Sequence, residues 1–124
     1  NVPKNLSILP SQTNLVPFYR VANLVLNLSK PNEWVETFGL TILEAMTYGI
    51  PCIAPQIGGP TEIVRDKLDG YLISSSDTAV IGEKILELSN NRTLCNVLSA
   101  SARQRSLDFS ETEFQKALKN MFLD

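Results

Sequence analysis

Short apolar runs alternate with helix-like segments along this chain, and that alternation restricts it to few folds. Residues 6–9, 23–28, 51–54 and 71–73 read as strands, each bounded by Pro, Gly, Asn, Asp or Ser. The intervening segments carry helical spacing. A short helix is expected over 15–21, with Pro17 in its first turn. Another spans 39–48, where Leu40, Leu43 and Met46 recur and Gly49 stops the run. Pro60 opens a short helix at Thr61, Glu62 and Ile63. Asp77 is placed to cap a helix over 78–88, with Ile81, Ile85 and Leu88 on one face. Leu94, Val97, Leu98 and Ser101 fit the next helix, and Ser110 to Glu113 read as a capping box before the last. Strands alternating with helices define an α/β fold, a mostly parallel sheet with helices on both faces. Ligands of such sheets lie beyond the carboxyl ends of the strands, which directs attention to the loops after Leu28 and Ala54.

Composition narrows the chemistry. The 124 residues, 44% of them hydrophobic, suffice for one domain with a core. A net charge of -2, from 11 basic and 13 acidic residues, gives no electrostatic footprint for nucleic acid. No 18-residue apolar run is present to span a bilayer. Histidine is absent, which removes a His-based triad, most zinc sites and the commonest general base from this chain. Cys52 and Cys95 lie outside metal-ligand spacing and read as two buried thiols in a reducing compartment. Residues 1–5 lack the apolar stretch of a signal peptide and a starting methionine, so a fragment of a longer protein is expected.

The chemistry-bearing stretch is Glu36-Thr37-Phe38-Gly39-Leu40-Thr41-Ile42-Leu43-Glu44. If a helix begins at Gly39, Glu44 lies roughly 7 Å along its axis and Glu36 stands before it. Free N–H groups at Gly39 and Leu40 can then hold an anion, with carboxylates on either side to bind hydroxyls. That arrangement suits a charged, sugar-bearing nucleotide. The layout favours two separate hydrogen-bonding duties over a shared metal or a shared proton. By spacing alone the two carboxylates also fit a solvated helix residue and a favourable first-turn charge. Gly58-Gly59-Pro60-Thr61-Glu62 follows a strand. Its glycines permit close approach by a ligand, Thr61 can donate, and Glu62 can reach a hydroxyl; a plain turn with a short helix fits as well. Ser29 can orient the first loop or touch a ligand, and Lys30 can meet phosphate or remain solvated. Phe38 is expected to anchor its loop, and Trp34 to anchor it or wall a sugar. Arg92, Arg103 and Arg105 join no motif and are expected at the surface.

As an ordered series these segments resemble the retaining glycosyltransferases of GT-B fold, the group that includes glycogen synthase and the phosphatidylinositol mannosyltransferases. Glu36 to Glu44 resembles the E-x7-E signature, residues 21–29 the strand that ends in serine, and Phe38-Gly39-Leu40 the F-G-L step. Glu44-Ala45-Met46 with Gly49-Ile50-Pro51, Gly58-Gly59 with Glu62, and Asp69-Gly70-Tyr71-Leu72 continue it, over about residues 6 to 73. Thr37 departs from the glycine common at its position. The resemblance implies that residues 1–124 are part of a Rossmann-like C-terminal domain that binds a nucleoside diphosphate sugar, with no metal or other cofactor. Glu44 would bind ribose, Glu36 the transferred sugar in or beside the chemistry, and the amides of Gly39 and Leu40 the distal phosphate. Phe38, Ser29, Gly58, Gly59 and Glu62 would line the same site. It also implies a basic Arg–Lys pair and an N-terminal acceptor domain elsewhere in the protein. On the terminal helix over 109–124, the stripe Phe114, Leu118 and Phe122 fits either packing toward that domain or simple core packing. The activity implied is retaining transfer to a saccharide or lipid-linked acceptor in polysaccharide or cell-envelope synthesis, in the cytoplasm or at the inner membrane. A nucleotide-sugar epimerase of the same architecture and a non-catalytic nucleotide-sugar-binding module are the alternatives. The isolated chain is expected to be inactive.

Overall fold

The computed structural model describes residues 3–123. Asn1 and Val2, part of the stretch read above for a leader, and Asp124, the end of the terminal segment, lie outside them. Three strands, β1 (Val25–Leu26), β2 (Cys52–Ala54) and β3 (Gly70–Leu72), form a parallel sheet in the order β1-β2-β3. Each crossover carries a helix: α2 (Leu40–Thr47) leads into β2, and α3 (Pro60–Ile63) into β3. α1 (Val16–Tyr19) precedes the sheet. α4 (Thr78–Asn90), α5 (Arg92–Ser106), a 3-10 turn at Leu107–Phe109 and α6 (Glu111–Leu123) follow it.

Strand alternation divides the core between the two faces of the sheet. Cys52 and Ala54 point to the face covered by Ile42, Ala45 and Met46 of α2 and by Ile63 of α3. Ile53 and Tyr71, neighbours in the β2–β3 register, point the other way, against Ile81 and Leu88 of α4. α5 joins the two halves, with Ala102 in the first cluster and Leu98 in the second. The parallel sheet with helices on both faces is therefore as expected.

Several local expectations need correction. Residues 6–9 form no strand; Leu6, Ile8 and Leu9 are exposed and no described segment pairs with them. Apolar alternation makes a strand only where a neighbouring ladder exists. β1 is shorter than 23–28, since β2, its one neighbour among the described residues, has three residues, although Asn27 N–H still donates to Ile53 O. On α2 the buried face is Ile42, Ala45 and Met46, and Leu40 is exposed. Asp77 stands at the start of α4, but its carboxylate makes no capping bond. The capping box of α6 is half formed. Ser110 Oγ accepts from Glu113 N–H, while the Glu113 carboxylate goes to Lys116 Nζ at 2.6 Å.

The turn before β3 is held by a buried acid. Asp69 is fully buried and accepts from Arg65 Nε (2.8 Å), Arg65 Nη2 (2.7 Å) and Ser101 Oγ (2.7 Å). Through Ser101 it ties α5 to the turn before β3. Burial alone would raise its carboxyl. The bonds from Arg65 and Ser101 and the Arg65 charge outweigh that and hold it below the ordinary carboxylate value. A depressed folded value means that this stabilisation is complete above the unfolded value of about 3.9 and is lost as the pH falls through the folded one. Asp69→Ala should cost about 2–4 kcal/mol, toward the lower end because Arg65 is half exposed. Urea unfolding at pH 7 measures the loss, and the gap between variant and parent should shrink as the pH falls below the folded value.

The two thiols are free. Cys52 is buried, and burial pushes it up to about 12, which leaves an unreactive core thiol. Cys95 is half-buried against the other cluster.

Candidate functional site

The loops at the carboxyl ends of β1 and β2 meet at the start of α2. Gly39 precedes the helix with a φ of +91°, in the left-handed region. The bend so formed turns two amides back onto Glu36, whose Oε1 accepts from Gly39 N–H at 3.1 Å and Phe38 N–H at 3.4 Å. The expectation that the Gly39 amide stands free for an anion is therefore corrected: Glu36 itself occupies it. Leu40 N–H and Thr41 N–H, the next two, meet no acceptor among the described residues. Glu36 Oε2 likewise makes no hydrogen bond among them.

The glycine pair serves this bend. Gly59 N–H donates to Glu36 O at 2.8 Å. A Cβ at Gly59 would lie 2.4 Å from Phe38 Cα and 2.4 Å from Thr37 O; one at Gly58 would lie 2.3 Å from Glu36 O. The close approach these glycines allow is that of the 36–38 backbone, where sequence reading had expected a ligand. Thr61 donates its hydroxyl to Gly58 O, and Glu62 is exposed. Ser29 is half-buried after β1, its N–H held by Asn27 Oδ1, and Lys30 pairs with Glu33 at the surface. Phe38 and Trp34 do not anchor the loop internally. Trp34 is exposed, and Phe38 stands half exposed over a groove lined by Phe109, Phe114 and Ala117.

Glu44 sits just beyond the first turn of α2, half-buried. Its Oε2 accepts from the Tyr19 hydroxyl at 2.9 Å. It borders a cleft of about 390 Å³ between α2 and the segment leading into α1, lined by Gln12, Asn14, Val16, Tyr19, Thr47 and Tyr48 among others. No hydrogen bond joins Glu36 to Glu44. Among the described residues no three acidic or cysteine side chains converge on a point that could hold a metal ion.

Two groups escaped the sequence reading. Tyr19 is one, and no spacing links it to Glu44, 25 residues on. Arg105 is the other. Expected as a surface residue, it donates to Ile63 O at 3.0 Å and Glu62 O at 2.7 Å, and lies over the Phe109 ring. It thereby closes the carbonyl end of α3. Arg103 similarly donates to Tyr48 O at the end of α2.

A helix start flanked by two carboxylates thus stands at the carboxyl edge of a parallel α/β sheet, where ligands of such sheets bind. The chain matches the family described as "Glycosyl transferases group 1" over residues 1–105, and it belongs to that family. It is 33% identical over 107 residues to the N-acetyl-alpha-D-glucosaminyl L-malate synthase of Bacillus anthracis, covering 82% of this chain and 27% of that protein. TarM of S. aureus superposes with a TM-score of 0.77 at 28% identity, over 91% of this chain and 22% of that one. HepE of Anabaena, solved in complex with UDP, superposes with a TM-score of 0.63 at 25% identity, over 88% of this chain and 30% of that one. These neighbours are GT-B glycosyltransferases. The chain spans less than a third of the length of each of these three proteins.

Proposed function

We propose that this chain is the donor-binding part of a retaining glycosyltransferase and holds a nucleoside diphosphate sugar at the start of α2. Two observations carry the reading: a half-buried carboxylate, Glu44, borders a cleft of about 390 Å³ along the carboxyl-terminal half of α2, and two amides at the start of the same helix have no acceptor among the described residues. Glu44 accepts hydrogen bonds from the ribose hydroxyls. Leu40 and Thr41 N–H groups meet the distal phosphate, where the α2 dipole adds roughly 0.3–1 kcal/mol. The amide pair that grips Glu36 Oε1 aims Oε2 at the transferred sugar, so Glu36 positions the sugar through its hydroxyls. In the reaction the bond from sugar C1 to the diphosphate oxygen breaks and one to an acceptor oxygen forms on the same face. The acceptor proton leaves with the diphosphate, whose growing charge the helix start stabilises.

The acceptor, a saccharide or a lipid-linked sugar, binds to a part of the protein outside this chain. The apolar stripe of α6, with Phe114, Met121 and Phe122 exposed, packs against that part. The intact protein, incubated with a panel of radiolabelled nucleoside diphosphate sugars, should transfer sugar with its anomeric configuration kept, as read by NMR of the product. An inverted product, or transfer from none of the donors, would contradict the proposal. The 124-residue chain alone should show no turnover.

A further inference from the structure

Glu44 is half-buried on α2, and a flexible carboxylate must be held in place to be ready for a diol. We infer that Tyr19 is the positioning residue that fixes the Glu44 carboxylate for the ribose, an inference that rests on the donor reading above. Tyr19 lies along one stripe of α2. Its hydroxyl is 2.9 Å from Glu44 Oε2 and 3.5 Å from Thr41 O, and its ring stacks on Tyr48 with centroids 5.4 Å apart. Thr41, Glu44 and Tyr48 recur at i, i+3 and i+7, so the phenol is seated across two turns of the helix. A glutamate has three rotatable bonds, and a fixed donor on one oxygen removes most of that freedom before ligand arrives. The bonded oxygen retains a lone pair and the other is unengaged, so both remain able to accept from a cis-diol.

The donor is permanent. Burial first, then the bond to Glu44 and its charge, pushes the Tyr19 hydroxyl up to about 12, so it keeps its proton across the working range. Tyr19 also belongs to α1, whose approach lines the same cleft. One side chain thus couples the cleft wall to the group that reads the sugar of the nucleotide.

The test measures ribose preference in the intact protein, as the ratio of dissociation constants for UDP and 2′-deoxy-UDP, with the ADP and GDP pairs run alongside. Tyr19→Phe keeps the stacked ring and removes only the hydroxyl. It should reduce the preference about five- to tenfold, while Glu44→Gln should abolish it. Ile81→Val, a mild core change on α4, should lower Tm with the ratio unchanged, which separates positioning from stability. If Glu44→Gln abolishes the preference and Tyr19→Phe leaves it intact, the inference is overturned and the donor reading stands. If Glu44→Gln itself leaves the ratio unmoved, the donor reading falls and takes this inference with it.

Discussion

Glu44→Gln in the intact protein is expected to weaken nucleoside diphosphate binding about 10- to 100-fold, as hydrogen bonds to a charged group contribute about 1.5–3 kcal/mol. The charge accounts for most of this. A carboxylate accepts from both members of a diol, whereas an amide turns one of its two ends into a donor. Little stability should be lost, because Glu44 is only half-buried and forms no ion pair among the described residues. Titration calorimetry with UDP, ADP and GDP, beside a thermal melt, checks both halves. Unchanged affinity for the preferred nucleotide would remove Glu44 from the donor site.

Gly59→Ala should place a severely damaging methyl in the site. The added Cβ would sit 2.4–2.5 Å from Phe38 Cα, Thr37 O and Phe38 O, all of them backbone atoms with no rotamer to relieve the clash. Overpacking usually costs about 1–3 kcal/mol where side chains can yield; here the 36–38 bend must move, so the cost should reach or exceed the top of that range. The same displacement breaks the Gly59 N–H to Glu36 O bond and swings Glu36 off its amides. Chemical denaturation should show the stability loss. Nucleotide affinity, measured at a temperature where the variant remains folded, should fall with it. A variant of parental stability would mean that the two loops are not packed as described.

What the sequence made legible was whatever it signals locally. Gly39, Gly49, Pro60 and Gly70 mark their own boundaries, so α2, α3 and β3 fall within a residue or two of expectation. The failures fall where a partner or a local geometry decides the outcome. Residues 6–9 have the alternation of a strand, but a strand is a property of a pair, and no partner is present among the described residues. Asp77 has the identity of a cap, yet its carboxylate makes no capping bond. The site divides the same way. Glu36, Gly39 and Glu44 were found because they fall within nine consecutive residues. The grip of two amides on Glu36 depends on a left-handed bend that no residue pattern specifies. Gly58 and Gly59 were correctly seen as sites of close approach, but what approaches them is a loop some twenty residues earlier. Tyr19, Asp69 and Arg105 act on partners 25, 32 and 42 residues away, and only folding brings those together.

One placement is central, that of the diphosphate over the start of α2 with its ribose on Glu44. A crystal structure of the intact protein with the preferred nucleoside diphosphate bound tests it most directly. The expected result is ribose hydroxyls within hydrogen-bond reach of the Glu44 carboxylate and the distal phosphate on the Leu40 and Thr41 amides. A nucleotide seated elsewhere, with Glu44 bonded to Tyr19 alone and those amides facing water, would contradict it.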